Sequence, residues 1–317
     1  MIHGPRLHNY KHVTILLVLI FTICISIGVR DARALETRAL QHLFDLNQAA
    51  NSPLSLPSDV AVAPDGRIYV VDGNNDRIAV YSDDGKFVST IGSTGAADGQ
   101  LSSPIGIDVD NKGDVYVADS GNYRLQVFNA AGKFIRQIPL REKNVRIKPV
   151  DVAVDNEKQI LYITGNNNHK VMLYSIGGKY LRAWGRQGNN PGEFRYPATI
   201  TISDDGLIYV VDVLNSRVQI FERNGNVLTV AGSWGVLPGQ LFRPKGVAVD
   251  AKGAIYVSDS YMGLIEVFDN TKQFSYVLGK DNSPHKFITP AGITLDKHQR
   301  IYVTEMLSNK VSVYKLK

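Results

Sequence analysis

The chain has 317 residues, 44% of them hydrophobic and 21% charged, a globular balance that excludes a disordered chain. Four basic residues against one acid fall within the first 34 positions, which leaves 31 basic and 29 acidic residues for the rest; a body so near neutrality weighs against nucleic acid, whose binders concentrate basic charge. The single cysteine, Cys24, precedes that body, so a disulfide, a thiolate metal site and a cysteine nucleophile are excluded from it.

The first element is an export signal at 1–34. Arg6 and Lys11 precede Val13–Val29, seventeen residues without a charge, and Ala32-Arg33-Ala34 follows as an A-x-A cleavage site. Seventeen helical residues span about 26 Å, slightly short of a roughly 30 Å hydrocarbon core. The balance favours cleavage before Leu35; left uncut, the segment is a membrane anchor. Either way the body is expected outside the cytoplasm, in the periplasm, at the surface or anchored to the membrane, because the basic end stays inside.

The second element, 35–51, contains Ala39–Leu46, whose alternating apolar residues read as a strand without a sheet of its own; a short helix is the competing reading. From 52 to 317 one phrase recurs: Ile68–Asp72 (IYVVD), Val115–Asp119, Leu161–Gly165, Ile208–Asp212, Ile255–Asp259 and Ile301–Glu305. Its tyrosines stand at 69, 116, 162, 209, 256 and 302, and prolines 57, 104, 149, 197, 244 and 290 keep step. Two independent markers holding one period over six copies establish a repeat protein. Each copy reads as four short strands, β-branched and aromatic, separated by Asp, Asn and Gly turns. Units of this length and content predict an all-β, six-bladed β-propeller of four-stranded antiparallel blades. The sixth copy ends after its third strand, so Ala39–Leu46 is expected to supply the missing outer strand and close the ring.

The unit wording resembles the NHL repeat. Ser103–Phe128 carries it almost throughout, with Pro104, Gly106, Asp110, Gly113, Tyr116, Asp119, Asn122, Arg124 and Phe128. The linkers Gly188…Pro191-Gly192-Glu193-Phe194 and Gly235…Pro238-Gly239-Gln240-Leu241 carry it too. The resemblance, to exported or membrane-anchored bacterial NHL propellers, implies a central channel and no single activity.

Candidate site residues follow from the top face, formed by the loops after the second strands and by the linkers between blades. Asp72, Asp119, Asp212, Asp259 and Glu305 open those loops, and Arg77, Arg124, Lys170, Arg217 and Lys310 follow five residues after the same position. A ring of carboxylates suggests a metal or a general acid. The stronger reading is structural: a strand-end Asp holds loop amides and pairs with its own blade's Arg. Lys170 lacks that Asp and Asp259 lacks that Arg, so both are expected to be free for a ligand. The recurring Asn75, Asn122, Asn168 and Asn215 are read as structural for the same reason. Zinc chemistry like that of amidating lyases needs three converging histidines. Of His42, His169, His285 and His298, only His169 and His285 fall on the top. Gluconolactonase-like rings leave room for a divalent cation in the channel; the residues assign no other cofactor. Neither a G-x-S-x-G elbow nor a phosphate-binding loop occurs in the body.

The loops of blades four to six turn apolar: Leu214, Tyr261, Met262, Met306 and Leu307, with Trp234, Val236 and Leu237 in the linker before blade five. Either these form an exposed patch, or Trp234 and Leu237 fold down to plug the channel mouth. The patch is expected to include Asp259, to be rimmed by Arg243, Lys245 and Lys286, and to take a protein or an amphipathic or anionic ligand. The reading for the whole chain is an extracytoplasmic binding or scaffolding propeller. The alternative is a cation-dependent hydrolase or lyase with its site at the channel.

Overall fold

The computed structural model describes residues 35–50 and 52–317; the leader read at 1–34 lies outside the described residues. Among these residues there is no α-helix, and hence none long and apolar enough to cross a membrane. Six four-stranded antiparallel blades follow in chain order, and their first, innermost strands are Pro57–Val62, Pro104–Val109, Pro149–Asp155, Pro197–Ile202, Pro244–Val249 and Pro290–Leu295.

The recurring phrase forms the second strand of each blade. Its tyrosines, Tyr69, Tyr116, Tyr162, Tyr209, Tyr256 and Tyr302, are almost wholly buried. Period-2 alternation puts apolar side chains on both faces of a blade, so every sheet needs a neighbour on each side. Six apolar cores result, one between each pair of adjacent blades. The last joins Tyr302, Val311 and Val313 of blade six to Val60, Val70 and Tyr81 of blade one.

Leu40–Leu46 pairs antiparallel with Lys310–Leu316 as the outer strand of blade six, so the ring is closed by backbone hydrogen bonds as expected, and the helix reading fails. A second tie was not foreseen. Thr37–Arg38 runs parallel to Phe274–Lys280, the outer strand of blade five, and the Arg38 guanidinium lies 4.2 Å over the Tyr276 ring. The N-terminal segment therefore fastens both of the last two blades.

Every innermost strand is bulged just after its proline. The regular ladder to the second strand is interrupted between Pro57 and Val60, Pro104 and Ile107, Pro149 and Asp151, Pro197 and Ile200, Pro244 and Gly246, and Pro290 and Ile293. A bulge frees a residue from the ladder and re-aims its side chain. Here it does so six times at the upper end of the channel.

Candidate functional site

The strand-end carboxylates are structural, as the repeat regularity indicates. Asp72, Asp119 and Asp212 are fully buried. Each accepts a linker amide (Ser55, Ser102 and Arg195, at 2.7, 2.8 and 2.7 Å) and the Nε of its own blade's arginine (Arg77, Arg124 and Arg217, at 2.7, 2.7 and 2.9 Å). Asn75, Asn122 and Asn215 donate to the same carboxylates. Glu305 does this for blade six, accepting the Ile288 amide and the Ser312 hydroxyl.

The two exceptions are also structural, which corrects the expectation for Lys170 and Asp259. Lys170 is paired with Glu142, which a short two-stranded hairpin in the linker before blade three brings to the place left by Gly165. Asp259 is 0% exposed and accepts four backbone amides: Phe242 and Arg243 on one oxygen, Tyr261 and Met262 on the other. Four amides replace the missing arginine, and no face of this carboxylate is left for a ligand.

Deeper in the channel Asp59, Asp108 and Asp151 form a second acidic set. Each stitches its strand onward: Asp59 accepts the Ile107 amide at 3.1 Å, Asp108 that of Val154 at 2.8 Å, and Asp151 that of Ile200 at 2.9 Å. Each also accepts the amide of the residue that follows it. Burial pushes Asp59 up to about 7 and Asp108 up to about 6, and burial together with the Asp59 charge pushes Asp151 well above the carboxylate range. Gly106 and Gly292 make room for these side chains, since a Cβ there would collide with Asp151 and Asp59. Each oxygen of the set takes one of these amides, and among the described residues no group of three His, Cys, Asp or Glu side chains is arranged to hold a metal.

The upper channel mouth has a different chemistry. The residues freed by the bulges, Ile105, Val150, Ala198 and Lys245, line a cleft of about 400 Å³ with Tyr196, Val213, Leu214 and Arg243. Lys245 is thus the charged member of this bulge-freed set. Burial, and then the neighbouring Arg243 charge, hold its pKa below the usual lysine value.

Beside this mouth the exposed apolar residues of blades four and five form an aromatic row. Phe242 stacks on Tyr261 with ring centroids 4.2 Å apart, and Trp234 leans on Phe242 at 6.3 Å. Trp234 is 71% exposed and Tyr261 66%, with Val236 and Leu237 exposed next to Trp234. Trp234 and Leu237 therefore do not plug the channel. Leu214 and Arg243 line the mouth, Met262 is half-buried, and Lys286 lies at the rim with its ammonium on the Met262 carbonyl at 3.0 Å. Leu307 is exposed and Met306 half-buried on the loop of blade six, outside the mouth cleft.

Sequence reasoning missed Phe242, the middle ring of the row, and placed Lys245 only at the rim. The signal for Lys245 was available. The residue after each repeat proline reads Ser58, Ile105, Val150, Ala198, Lys245 and Ala291, and one of the six is charged.

The lower end of the channel opens into a cleft of about 440 Å³ whose charges are largely engaged already. Arg300 pairs with Asp296 and Asp83, Lys297 donates to the Pro64 carbonyl, and Asp250 holds the amides of its own turn. Among the described residues no three histidines converge, although His42 and His285 both pack against the Tyr314 ring. His169 accepts the Tyr196 amide, His285 meets the Tyr314 hydroxyl, His42 meets Asp45, and His298 lines the lower cleft.

Comparison with known proteins agrees with this architecture. The NHL repeat family model matches residues 54–81 and 101–128, and a 6-bladed beta-propeller family model matches 142–225. No curated protein matches in sequence. Among solved structures, a streptogramin B lyase is 15% identical with a TM-score of 0.64, covering 90% of this chain and 100% of its own. A gluconolactonase from Xanthomonas campestris is 18% identical with a TM-score of 0.65, over 88% and 89% of the two chains. A protein of unknown function from Bacteroides thetaiotaomicron is 17% identical with a TM-score of 0.66, over 89% and 76%. At identities this low the likeness establishes the fold and carries no activity with it. With NHL repeats matched at 54–81 and 101–128 and its blades closed in three dimensions, the chain is a six-bladed β-propeller that carries NHL repeats.

Proposed function

We propose that this protein is an exported binding propeller whose top face captures an acidic partner protein. The observation that carries the reading is the Trp234–Phe242–Tyr261 row, packed ring against ring and left open on the top face, with exposed Arg243 next to Phe242 in the chain. Surface aromatics flanked by further exposed apolar residues mark interaction sites, and aromatic anchors carry most of the energy of such interfaces. Basic residues at its edge, Arg243 and Lys286, suit an acidic partner and steer its approach. Export is supported by the leader pattern at 1–34.

The test is retention of a partner from an extract of the proteins outside the cytoplasmic membrane, with the partner identified by mass spectrometry. The body starting at Leu35 is compared with the Trp234→Ser/Tyr261→Ser variant. Because both side chains are largely exposed, the melting temperature should stay within about 2 °C, and retention should be lost. Intact retention by a variant that has lost much of its stability would show that the row is packing and that the reading is wrong.

A further inference from the structure

The mouth of the channel, next to the aromatic row, is a separate binding site. Its wall is largely apolar, supplied by Val150, Ala198, Leu214 and half-exposed Tyr196, with Asn166 as a polar member, and its cations are Arg243 and Lys245. Among the described residues neither the Arg243 guanidinium nor the Lys245 ammonium has a carboxylate partner or a hydrogen-bond acceptor. Among the described residues Arg141, Lys143 and Arg195 of this face also have no such partner, and Arg243 and Lys245 are set apart by lining one cleft together, while other cations are held. Lys170 is held by Glu142 and Arg186 by Glu193, Lys286 rests on a carbonyl, and Arg146 and Lys148 lie over the Tyr123 ring.

Lys245 and Arg243 line one cleft and repel one another, and burial costs the Lys245 ammonium hydration. The bulge after Pro244 keeps the Lys245 chain at the channel mouth, where its own ladder cannot use it. An anion between the two heads would relieve both penalties, and an apolar body behind it would cover the wall. The volume of about 400 Å³ suits a small ligand.

We propose that the channel mouth binds an organic carboxylate with a compact apolar body, its carboxylate held between Lys245 and Arg243 and its body against Val150, Ala198 and Leu214. The free acid and the carboxyl terminus of a peptide ending in an apolar residue share this chemistry. The site shares Arg243 with the proposed protein-binding face and otherwise does not rest on that reading.

Titration calorimetry on the body starting at Leu35 tests it with three probes: 4-phenylbutyrate, the isosteric alcohol 4-phenylbutanol, and an acetylated tripeptide ending in phenylalanine with a free carboxylate. The acid should bind and the alcohol should bind on the order of tenfold or more weaker, the worth of a charge-assisted hydrogen bond. Lys245→Met, which keeps the length of the chain, should cost the acid a similar factor and leave the alcohol unchanged. Arg243→Met repeats the test at the second cation should the first variant not fold. Binding of the acid alone identifies a free acid as the ligand, and tighter binding of the tripeptide identifies a peptide terminus; both support the site. Equal binding of acid and alcohol, no binding of any probe, or an unchanged acid affinity in a folded Lys245→Met protein overturns it. Partner retention is read separately: loss of acid binding in Lys245→Met with the partner still retained leaves the protein-binding face standing, and the reverse pattern leaves the pocket standing without it.

Discussion

Buried carboxylates decide more of this molecule than exposed ones. Asp119 sits beneath its blade's loop with the Arg124 guanidinium, itself 5% exposed, and the two hold the linker from blade one through the Ala97 and Gln100 carbonyls. Removing one partner of a buried pair leaves the other charge unpaired. Asp119→Ala should therefore cost about 3–5 kcal/mol in urea unfolding, and a loss under about 1 kcal/mol would place the pair among the weak surface bridges. Glu266 offers the opposite experiment. Gln126 and Gln219 hold the matching place in blades two and four, where each accepts a linker amide and donates to a linker carbonyl. Glu266 accepts the Gly239 amide, and burial, with Asp259 nearby, pushes its pKa up to about 8. A raised acid contributes stability in full below its unfolded value, near 4.5, and loses it as the pH climbs through about 8. Glu266→Gln supplies a neutral donor at every pH. It should leave stability near pH 5 almost unchanged and raise it by roughly 1–3 kcal/mol at pH 9; equal unfolding curves for the two proteins at pH 9 would refute this. This much was hidden from the sequence. The repeat places an acid at residue 259 as in the other blades, but its four amide partners come from a loop and a linker, and the loss of the arginine at Leu264 reads as a vacancy until those amides are in place.

At the scale of elements, closure depends on a segment that precedes the repeats. Leu40–Leu46 covers the third strand of blade six, with Lys310 held to Asp45 at 3.1 Å across the junction. Without it, the edge of Lys310–Leu316 would present unpaired amides and carbonyls, a template for association. A body starting at Gln48 should melt well below one starting at Leu35 and should aggregate in light scattering. Equal melting temperature and equal monodispersity would show that the clasp is dispensable. Thr37–Arg38 is a finer case. A body starting at Ala39 keeps the clasp and loses only the parallel pairing with blade five and the contact of Arg38 with Tyr276, so its melting temperature should fall much less. The clasp was legible because a blade one strand short must be completed from somewhere. The parallel tie was not, since two residues carry no periodicity. The six bulges were equally hidden. A repeat proline marks where the inner strand starts, but whether the next residue joins the ladder or turns into the channel is settled by the pairing of the strand beside it.

For the whole molecule, the two ends of the ring are chemically unlike. The lower turns pair their charges among themselves. The upper face leaves aromatic rings open, with Arg243 next to Phe242 in the chain, and sets Lys245 into a largely apolar mouth. If the chain is exported as its first 34 residues suggest, N-terminal sequencing of the secreted body should begin at Leu35, and an intact Met1 species held in membranes would show an anchor instead. By itself the sequence determined the blade count, the blade order, the strand content and the closing strand. Each of these follows from hydrophobic alternation and from a period held over six copies, which are properties of local chain and nearest neighbours. Only the tertiary structure decided which loop residues are free. Lys170 and Asp259, unpaired within their own repeats, are satisfied by Glu142 and by backbone amides from other segments. Lys245 reads as one more basic residue in a linker and is carried by a bulge into a largely apolar cleft, without an ion-pair partner among the described residues. A repeat specifies its own contacts; what stands across a channel or beneath a linker is supplied by other blades, and that apposition exists only after the ring has closed.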